Sequence, residues 1–227
     1  MRAYVLHGID DLRLEETALP EIKEREVLVK VMAAGICGSD IPRIYKTGTY
    51  SYPLIPGHEF SGTVIETGLK ADKKWMGKRV GIFPLIPCGE CESCRKKQYE
   101  MCRHYSYLGS RTNGGFAEYA AVPEENLIEL PEEVSYEVAA MLEPMAVAVH
   151  AMRKSGVMQE NTVVVYGLGT IGLLLCMFLL DAGVRDIYVI GNKEFQKRMA
   201  DSLGISETHY CDCRTREVSK WLQEQTG

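Results

Sequence analysis

Residues 163–172 read Val163-Val164-Val165-Tyr166-Gly167-Leu168-Gly169-Thr170-Ile171-Gly172, and an uncharged apolar segment follows as far as residue 180. The β-branched run predicts a buried strand over residues 162–166, and residues 173–180 predict a helix. Between a strand and a helix, the pattern G-x-G-x-x-G indicates a turn that binds a dinucleotide. Its glycines permit a tight turn and close approach of a pyrophosphate, whose charge lies at the helix N-terminus. The alternative is a glycine-rich turn in an unrelated α/β domain.

The segments after this turn continue the alternation of strands and helices, since residues 186–211 predict a strand, a helix and another strand. An acidic residue at the end of the second strand usually binds the adenosine ribose of NAD. This chain has Gly191, Asn192 and Lys193 there. Because no carboxylate repels a phosphate, and because Lys193 and Arg198 are nearby, we expect NADP rather than NAD. The alternative is that Lys193 is only an exposed loop charge.

Four of the eight cysteines lie in one short segment with the spacing C-x2-C-x2-C-x7-C. They are Cys88, Cys91, Cys94 and Cys102. Four thiolates from one loop can close a tetrahedral shell around zinc, which makes a structural site without an open position. An iron–sulfur cluster also takes four cysteines, but its common bacterial motif has a shorter last gap followed by Pro, whereas Arg103 follows here. The spacing favours structural zinc over a cluster or free thiols, with a contribution to local folding on the order of 10 kcal/mol.

Composition and charge argue against several classes of protein. The chain has 227 residues, 46% of them hydrophobic, which allows a sizeable core and one or two domains. Its net charge of −5 argues against a nucleic-acid partner, since phosphate binding usually needs a basic face. No signal peptide follows Met1 and the cysteines are clustered, so we expect a cytoplasmic metal-binding protein. Residues 163–180 are long enough to consider as a membrane span, but glycines interrupt them, and we expect no membrane partner.

Three further stretches contain the residue types that zinc prefers as ligands. They are Cys37-Gly38-Ser39-Asp40, Gly57-His58-Glu59 and Leu142-Glu143-Pro144. A catalytic zinc site needs about three ligands of the Cys, His and carboxylate types, together with an open position. We therefore interpret these stretches as parts of one reactive zinc site.

Each of these residues also has a structural interpretation. Cys37 alone would be a small buried hydrophobe. Asp40 could accept a hydrogen bond from a ligating His, or it could cap the helix that follows. Ser39 could pass a proton towards solvent or act as a cap. Glu143 alone would be a solvated carboxylate, at an interruption by Glu143-Pro144 of the helix predicted over residues 135–152.

Taken in chain order, these motifs resemble those of the medium-chain, zinc-dependent alcohol and polyol dehydrogenases. The resemblance covers the whole chain and includes Gly115-Phe116-Ala117-Glu118-Tyr119. Within the family it is greatest to the galactitol-1-phosphate 5-dehydrogenases. Three stretches carry this narrower resemblance: Ile41-Pro42-Arg43-Ile44, Pro84-Leu85-Ile86-Pro87-Cys88 and Leu108-Gly109-Ser110-Arg111.

The resemblance implies an α/β plus β fold with two domains. Residues 1–150 would form a GroES-like catalytic domain with a structural-zinc lobe at 86–104, and residues 151–227 a partial Rossmann dinucleotide-binding domain. Cys37, His58 and Glu143 would ligate a catalytic zinc, with Glu59 as an alternate ligand or beside it. The four clustered cysteines would hold a second, structural zinc.

The implied reaction is hydride transfer between NAD(P) and a secondary alcohol of a polyol or polyol phosphate that resembles galactitol 1-phosphate. Ser39 would relay the released proton, and the whole protein would be a homodimer or homotetramer. Family members continue well past the third Rossmann strand, so we expect this chain to be a fragment that is inactive alone and binds cofactor weakly or not at all. The alternatives are a non-catalytic zinc- and nucleotide-binding module and an iron–sulfur redox protein.

Overall fold

The computed structural model describes residues 1–227. It contains two compact units, Met1–Glu143 and Pro144–Gly227. The predicted domain boundary at residue 150 falls within the helix Leu142–Ser155, which also contains the division between the units.

A five-stranded antiparallel sheet forms the centre of the N-terminal unit, with the strand order β8-β3-β4-β5-β9. Its strands are β3 (Glu26–Gly35), β4 (Glu59–Thr67), β5 (Arg79–Ile82), β8 (Tyr119–Pro123) and β9 (Leu127–Glu129). Val27 and Val29 are fully buried and pack with Phe60, Val64 and Val80. Burying the apolar face of such a sheet is the main stabilisation available to it, at about 25 cal/mol per Å² of apolar surface. Leu28 is also buried, so β3 is covered on both faces.

Two hairpins and several short helices complete this unit. The hairpins are β1 (Arg2–Gly8) with β2 (Asp11–Glu16), and β6 (Leu85–Ile86) with β7 (Ser106–Tyr107). The short α-helices are α1 (Asp40–Pro42), which continues as a π-helical turn (Arg43–Thr47), and α2 (Glu92–Arg95). The 3₁₀ turns are Lys73–Trp75, Tyr99–Met101 and Glu124–Asn126. Between β6 and β7 the chain forms the lobe that contains the clustered cysteines.

The helix predicted over residues 135–152 is interrupted earlier than the sequence indicated. It forms α3 (Tyr136–Ala140), capped by the Ser135 hydroxyl, and α4 (Leu142–Ser155). The break therefore lies at Met141, and the prediction of a break at Glu143-Pro144 is wrong. Proline lacks a backbone N–H group, so it is tolerated in the first turn of a helix, where that group has no intrahelical partner.

The second unit is a parallel sheet of three strands in the order β10-β11-β12, with helices between them. Its elements are β10 (Val163–Tyr166), α5 (Thr170–Asp181), β11 (Ile187–Gly191), α6 (Glu194–Ser202), a 3₁₀ turn (Glu207–His209), β12 (Tyr210–Asp212) and α7 (Val218–Thr226). Ile187 and Val189 pack into the larger core on one face of the sheet. Tyr188 and Ile190 pack with Trp221 on the other face. Strands buried on both faces are typical of parallel sheets covered by helices.

Helix α5 begins at Thr170, earlier than the predicted start at residue 173, because Gly169 has the extended backbone of an N-cap residue. The glycine pattern therefore forms the helix N-terminus itself. The prediction of a β domain followed by the first half of a Rossmann sheet is confirmed. None of the helices combines the length and the apolar character needed to cross a bilayer.

Candidate metal centres and cofactor turn

The mixed zinc-ligand set is assembled by the pairing of β3 with β4. Gly35, the last residue of β3, is paired with Glu59, the first residue of β4. Cys37 follows the end of β3 by two positions, and His58 immediately precedes β4. The antiparallel ladder thus places these three side chains at one end of the sheet.

The ligand atoms of Cys37, His58 and Glu59 all lie within 4.8 Å of one another. His58 and Glu59 are buried, and Cys37 is half-buried. Glu59 lies over Gly35, because a Cβ atom built on Gly35 would be 2.6 Å from Glu59 Oε2. A thiolate, an imidazole and a carboxylate at this separation form a donor set that fits zinc.

Asp40 is fully buried and contacts the residues around this set. Its Oδ1 atom lies 3.4 Å from His58 Nδ1, within ion-pair range but without hydrogen-bond alignment. Arg43 Nη1 donates to the same oxygen at 2.8 Å, and the Cys37 backbone N–H group donates to Oδ2 at 3.1 Å. Because Nδ1 faces Asp40, the other ring nitrogen of His58 is the one available to a metal. Asp40 therefore does not cap α1, whose N-cap residue is Ser39, and its role in orienting His58 stays a prediction.

Ser39 and the electrostatics of the set also fit a bound cation. The exposed Ser39 hydroxyl donates to Cys37 Sγ at 3.3 Å. Burial raises the pKa of the Cys37 thiol, and the hydrogen bonds from Ser39 offset part of that rise. Burial also raises the pKa of Glu59. Burial removes water from the charged forms of both groups and so disfavours them. A cation between the two groups would stabilise the thiolate and the carboxylate, which are the forms that bind metal.

Glu143 lies outside the group of mutually close ligand atoms. Its Oε1 atom accepts a hydrogen bond from the Tyr107 hydroxyl at 3.1 Å, and its charge helps to raise the pKa of Glu59. Tyr107 also packs edge-on against His58, with ring centroids 5.8 Å apart. Glu143 is thus beside the set, and its assignment as the third zinc ligand stays a prediction.

The second candidate metal centre is the four-cysteine lobe, where all four sulfurs lie within 4.8 Å of one another. Cys94 Sγ is 3.5 Å from Cys91 Sγ and 3.9 Å from Cys88 Sγ, and Cys91 Sγ is 3.9 Å from Cys102 Sγ. A zinc tetrahedron with Zn–S bonds of about 2.3 Å has sulfur–sulfur edges of about 3.8 Å. The four cysteines form no disulfide. The distances between the four sulfur atoms fit one tetrahedral zinc ion.

Backbone N–H groups around this lobe point at the sulfurs. Those of Cys94 and Arg103 lower the pKa of Cys91 to about 6, and that of Cys88 lowers the pKa of Cys102. Burial raises the pKa of Cys94 to about 12. The lobe thus stabilises some thiolates by itself but needs a cation to ionise all four.

The glycine turn of the second unit leaves open space for a ligand. Gly167 has φ = +102°, and Cβ atoms built on Gly167 or Gly169 would meet nothing within 4 Å. A Cβ atom on Gly172 would collide with the Gly167 carbonyl oxygen, so this glycine permits close packing of α5 on the turn. Leu168 is buried, whereas Thr170 and Ile171 are exposed in the first turn of α5. The open backbone before a helix N-terminus fits a pyrophosphate.

The end of β11 shows why no acidic residue occupies position 191. A Cβ atom on Gly191 would lie 2.9 Å from the Tyr210 hydroxyl and 3.0 Å from Gln196 Oε1. The same Gln196 oxygen accepts the backbone N–H groups of Asn192 and Lys193. Lys193 is exposed and forms no ion pair, and Arg198 is also exposed on α6. Residues 191–193 therefore lie at the end of the second strand, Arg198 lies on α6, and neither Lys193 nor Arg198 forms an ion pair.

Comparison with known proteins places this geometry in a family. Residues 23–132 match the model of the alcohol dehydrogenase GroES-like domain. Galactitol 1-phosphate 5-dehydrogenase from Escherichia coli (strain K12) is 38% identical over 198 residues, which are 87% of this chain and 57% of that protein. D-arabitol-phosphate dehydrogenase from Enterococcus avium is 37% identical over 224 residues, which are 96% of this chain and 63% of that protein.

A solved structure agrees with these relatives. The crystal structure of 2R,3R-butanediol dehydrogenase from Bacillus subtilis matches with a TM-score of 0.87 and 32% identity, covering 100% of this chain and 67% of that one. The chain belongs to the zinc-dependent medium-chain alcohol and polyol dehydrogenase family. Members of this family use zinc and NAD(P). The chain spans less than two thirds of the length of the two curated relatives.

Sequence reasoning missed several residues that support the site in this member of the dehydrogenase family. Tyr107 carries no local signal, because its partners His58 and Glu143 are distant in sequence. Arg43 could have been found, since it follows Asp40 by three positions on a helical turn. Gln196 has no recognisable motif, because its role depends on the fold of the β11–α6 turn.

Proposed function

We propose that the protein is a zinc-dependent oxidoreductase, or the metal-binding part of one, that transfers hydride between NAD(P) and a secondary alcohol of a polyol or polyol phosphate. The observation that carries this proposal is the partly buried group of Cys37, His58 and Glu59, whose ligand atoms lie within 4.8 Å of one another. A structural zinc needs no such mixed, partly exposed donor set, whereas a catalytic zinc keeps an open position for substrate.

Cys37 and His58 would hold the catalytic zinc together with a carboxylate, either Glu59 or Glu143. When bound, zinc supplies Lewis acidity that lowers the pKa of a substrate hydroxyl. The four cysteines of the lobe would hold the structural zinc, giving two ions per chain. A protein that keeps this many thiols free for metal fits a reducing compartment, which supports a cytoplasmic location.

The chain's own residues orient this site and move the proton. Asp40, fixed by Arg43, holds the His58 ring in the direction that a ligand needs. Ser39 is exposed and its hydroxyl lies 3.3 Å from Cys37 Sγ, so it can accept the proton of a substrate hydroxyl and pass it to solvent. Tyr107 stays protonated, because burial and Glu143 raise its pKa, and it keeps Glu143 beside the site.

The cofactor would be NADP more readily than NAD. Gly191 leaves no side chain to repel a 2′-phosphate, and Lys193 has no ion-pair partner. Replacing Lys193 with Gln is expected to weaken NADP binding by several-fold and to leave NAD binding unchanged, as measured by fluorescence titration. Equal effects on the two cofactors would contradict the preference.

Turnover by the 227-residue chain alone is expected to be weak or absent. Its parallel sheet has three strands, which correspond to one mononucleotide-binding half, and a dinucleotide needs two such halves. The second candidate function is a non-catalytic zinc- and nucleotide-binding module, for which the four-cysteine lobe and the open glycine turn would be sufficient. The homodimer or homotetramer implied by the family resemblance is a further proposal, which light scattering tests.

The proposed function is tested by substrate binding at the metal, which does not require the cofactor. Cobalt replaces zinc in the purified protein, and galactitol 1-phosphate and galactitol are then titrated while the visible spectrum of the cobalt is recorded. A polyol that enters the open position changes the spectrum, and the change is absent from Cys37→Ser. If no polyol changes the spectrum of the fully loaded protein, the oxidoreductase proposal fails and the non-catalytic module is favoured.

A further inference from the structure

Arg111 is an arginine without an ion pair that is held between two tyrosine rings. Its guanidinium carbon lies 3.9 Å from the centroid of the Tyr50 ring and 4.5 Å from that of Tyr105. Its Nε atom is buried and has no hydrogen-bond partner. Aromatic contact takes up the planar faces of a guanidinium and leaves the N–H groups at its edge as donors. The two rings therefore hold the Arg111 guanidinium in place, and no carboxylate neutralises its charge.

Arg111 is joined through its backbone to Tyr107, whose ring contacts the proposed catalytic zinc site. Its backbone N–H group donates to the Tyr107 carbonyl at 2.9 Å, one turn from the tyrosine ring that packs on His58. The turn at residues 108–114, which follows β7 and contains Arg111, packs directly on the Gly57-His58 stretch, because a Cβ atom on Gly109 or Gly114 would collide with the Gly57 carbonyl oxygen.

The loop that carries Tyr50 is hydrogen-bonded to the turn at residues 108–114. The Thr49 hydroxyl donates to the Ser110 carbonyl at 2.7 Å, which fixes the two tyrosine-bearing segments beside each other. Tyr50 is 69% exposed, so its ring can move aside when a ligand approaches the guanidinium. Arg43, the other arginine near Tyr107, is neutralised by Asp40 and does not offer a free positive charge.

We infer that Arg111 binds the phosphate group of the substrate, so that the protein acts on a sugar-alcohol phosphate in preference to the free sugar alcohol. This inference rests on the proposed function, because it assigns one end of the substrate whose other end reaches the zinc ligands. Arginine matches a phosphate with two parallel N–H···O hydrogen bonds, and both groups keep their charge at neutral pH. In a sugar-alcohol phosphate, several carbons separate the phosphate from the reacting hydroxyl, so the two ends of one substrate can contact two separate groups.

The test measures binding of galactitol 1-phosphate and of galactitol to the zinc-loaded protein by calorimetry. We expect the wild-type protein to bind the phosphorylated compound more tightly, and we expect Arg111→Gln to reduce the ratio of the two affinities by about 10- to 100-fold. Arg111→Lys keeps the charge but loses the paired hydrogen bonds. Its affinity ratio is expected to lie between those of the wild type and Arg111→Gln. Arg153→Gln is the matched control, since Arg153 is exposed and forms no ion pair, and its ratio should equal that of the wild type.

Two results would overturn the inference: no preference for the phosphorylated compound in the wild type, or an unchanged ratio in Arg111→Gln with the circular dichroism spectrum retained. Failure of the proposed function gives a different result. In that case galactitol 1-phosphate binds in an Arg111-dependent manner, yet neither compound changes the spectrum of cobalt at the Cys37 site.

Discussion

The two candidate metal sites of the N-terminal unit differ in how the chain builds them. The lobe takes its four ligands from residues 88–102, within one loop, and all are thiols. The second group takes a thiol, an imidazole and a carboxylate from the ends of β3 and β4, which a long connection separates in sequence. The lobe supplies four ligands from one loop, whereas the second group depends on the pairing of two strands and is only partly buried, at Cys37.

Under the proposed function, the lobe would serve stability and the second group would serve chemistry. A loop with few buried apolar residues needs an ion to hold its shape, so the metal supplies folding free energy there. The β3–β4 ladder is already fixed by the core of Val27, Val29 and Phe60, so its end can hold a reactive metal without depending on it. The comparison predicts opposite responses to loss of a ligand.

The largest effect is expected in the lobe. Cys94→Ser should release one zinc per chain and unfold residues 88–102, because zinc contributes stabilisation on the order of 10 kcal/mol to sites of this kind. Metal analysis and hydrogen exchange of the lobe amides measure both effects. Cys176→Ala, which replaces a cysteine buried in α5 that belongs to neither group, is the control and should keep the full zinc content. A Cys94→Ser protein that keeps its fold and its full zinc content would contradict the stabilising role of the metal in the lobe.

A smaller effect on stability, and a large one on metal binding, is expected at the sheet. Cys37→Ser should lower zinc affinity at that site by at least about 100-fold, since loss even of a residue that orients a ligand typically lowers affinity 10- to 100-fold. The thermal unfolding midpoint should change little, because the β3–β4 core is untouched. Zinc titration and calorimetric unfolding test this, and unfolding as severe as that of Cys94→Ser would show that the two sites do not differ in role.

The smallest effect concerns the position of Glu59. Gly35→Ala places a methyl group 2.6 Å from Glu59 Oε2 and should displace the carboxylate, lowering zinc affinity at this site by about tenfold. Gly38→Ala is the matched control, because a Cβ atom there meets nothing within 4 Å. Competition with a chelator of known affinity gives both values. Equal affinities in the two variants would indicate that Glu59 is not a ligand and would favour Glu143.

Much of the candidate chemistry was predictable because it is local. The four cysteines and the G-x-G-x-x-G pattern each lie within one short segment. The conformation of such a segment depends mainly on residues that are close in sequence and on their turn preferences. The break in the helix was misplaced at Glu143-Pro144, because a proline favours two opposite outcomes, an interruption or a first turn. Tyr107 and Gln196 were missed, because their roles depend on partners that the fold brings to them.

The sequence alone is enough to predict the four-cysteine lobe, the glycine turn and the residue types available for zinc. The fold brings Cys37, His58 and Glu59 together, places Glu143 against Tyr107 and leaves Arg111 without an ion pair. The residues of a local motif are close in sequence, so the motif can be recognised without the structure. A convergent site depends instead on strand register, in which a one-residue slip would turn each side chain to the other face.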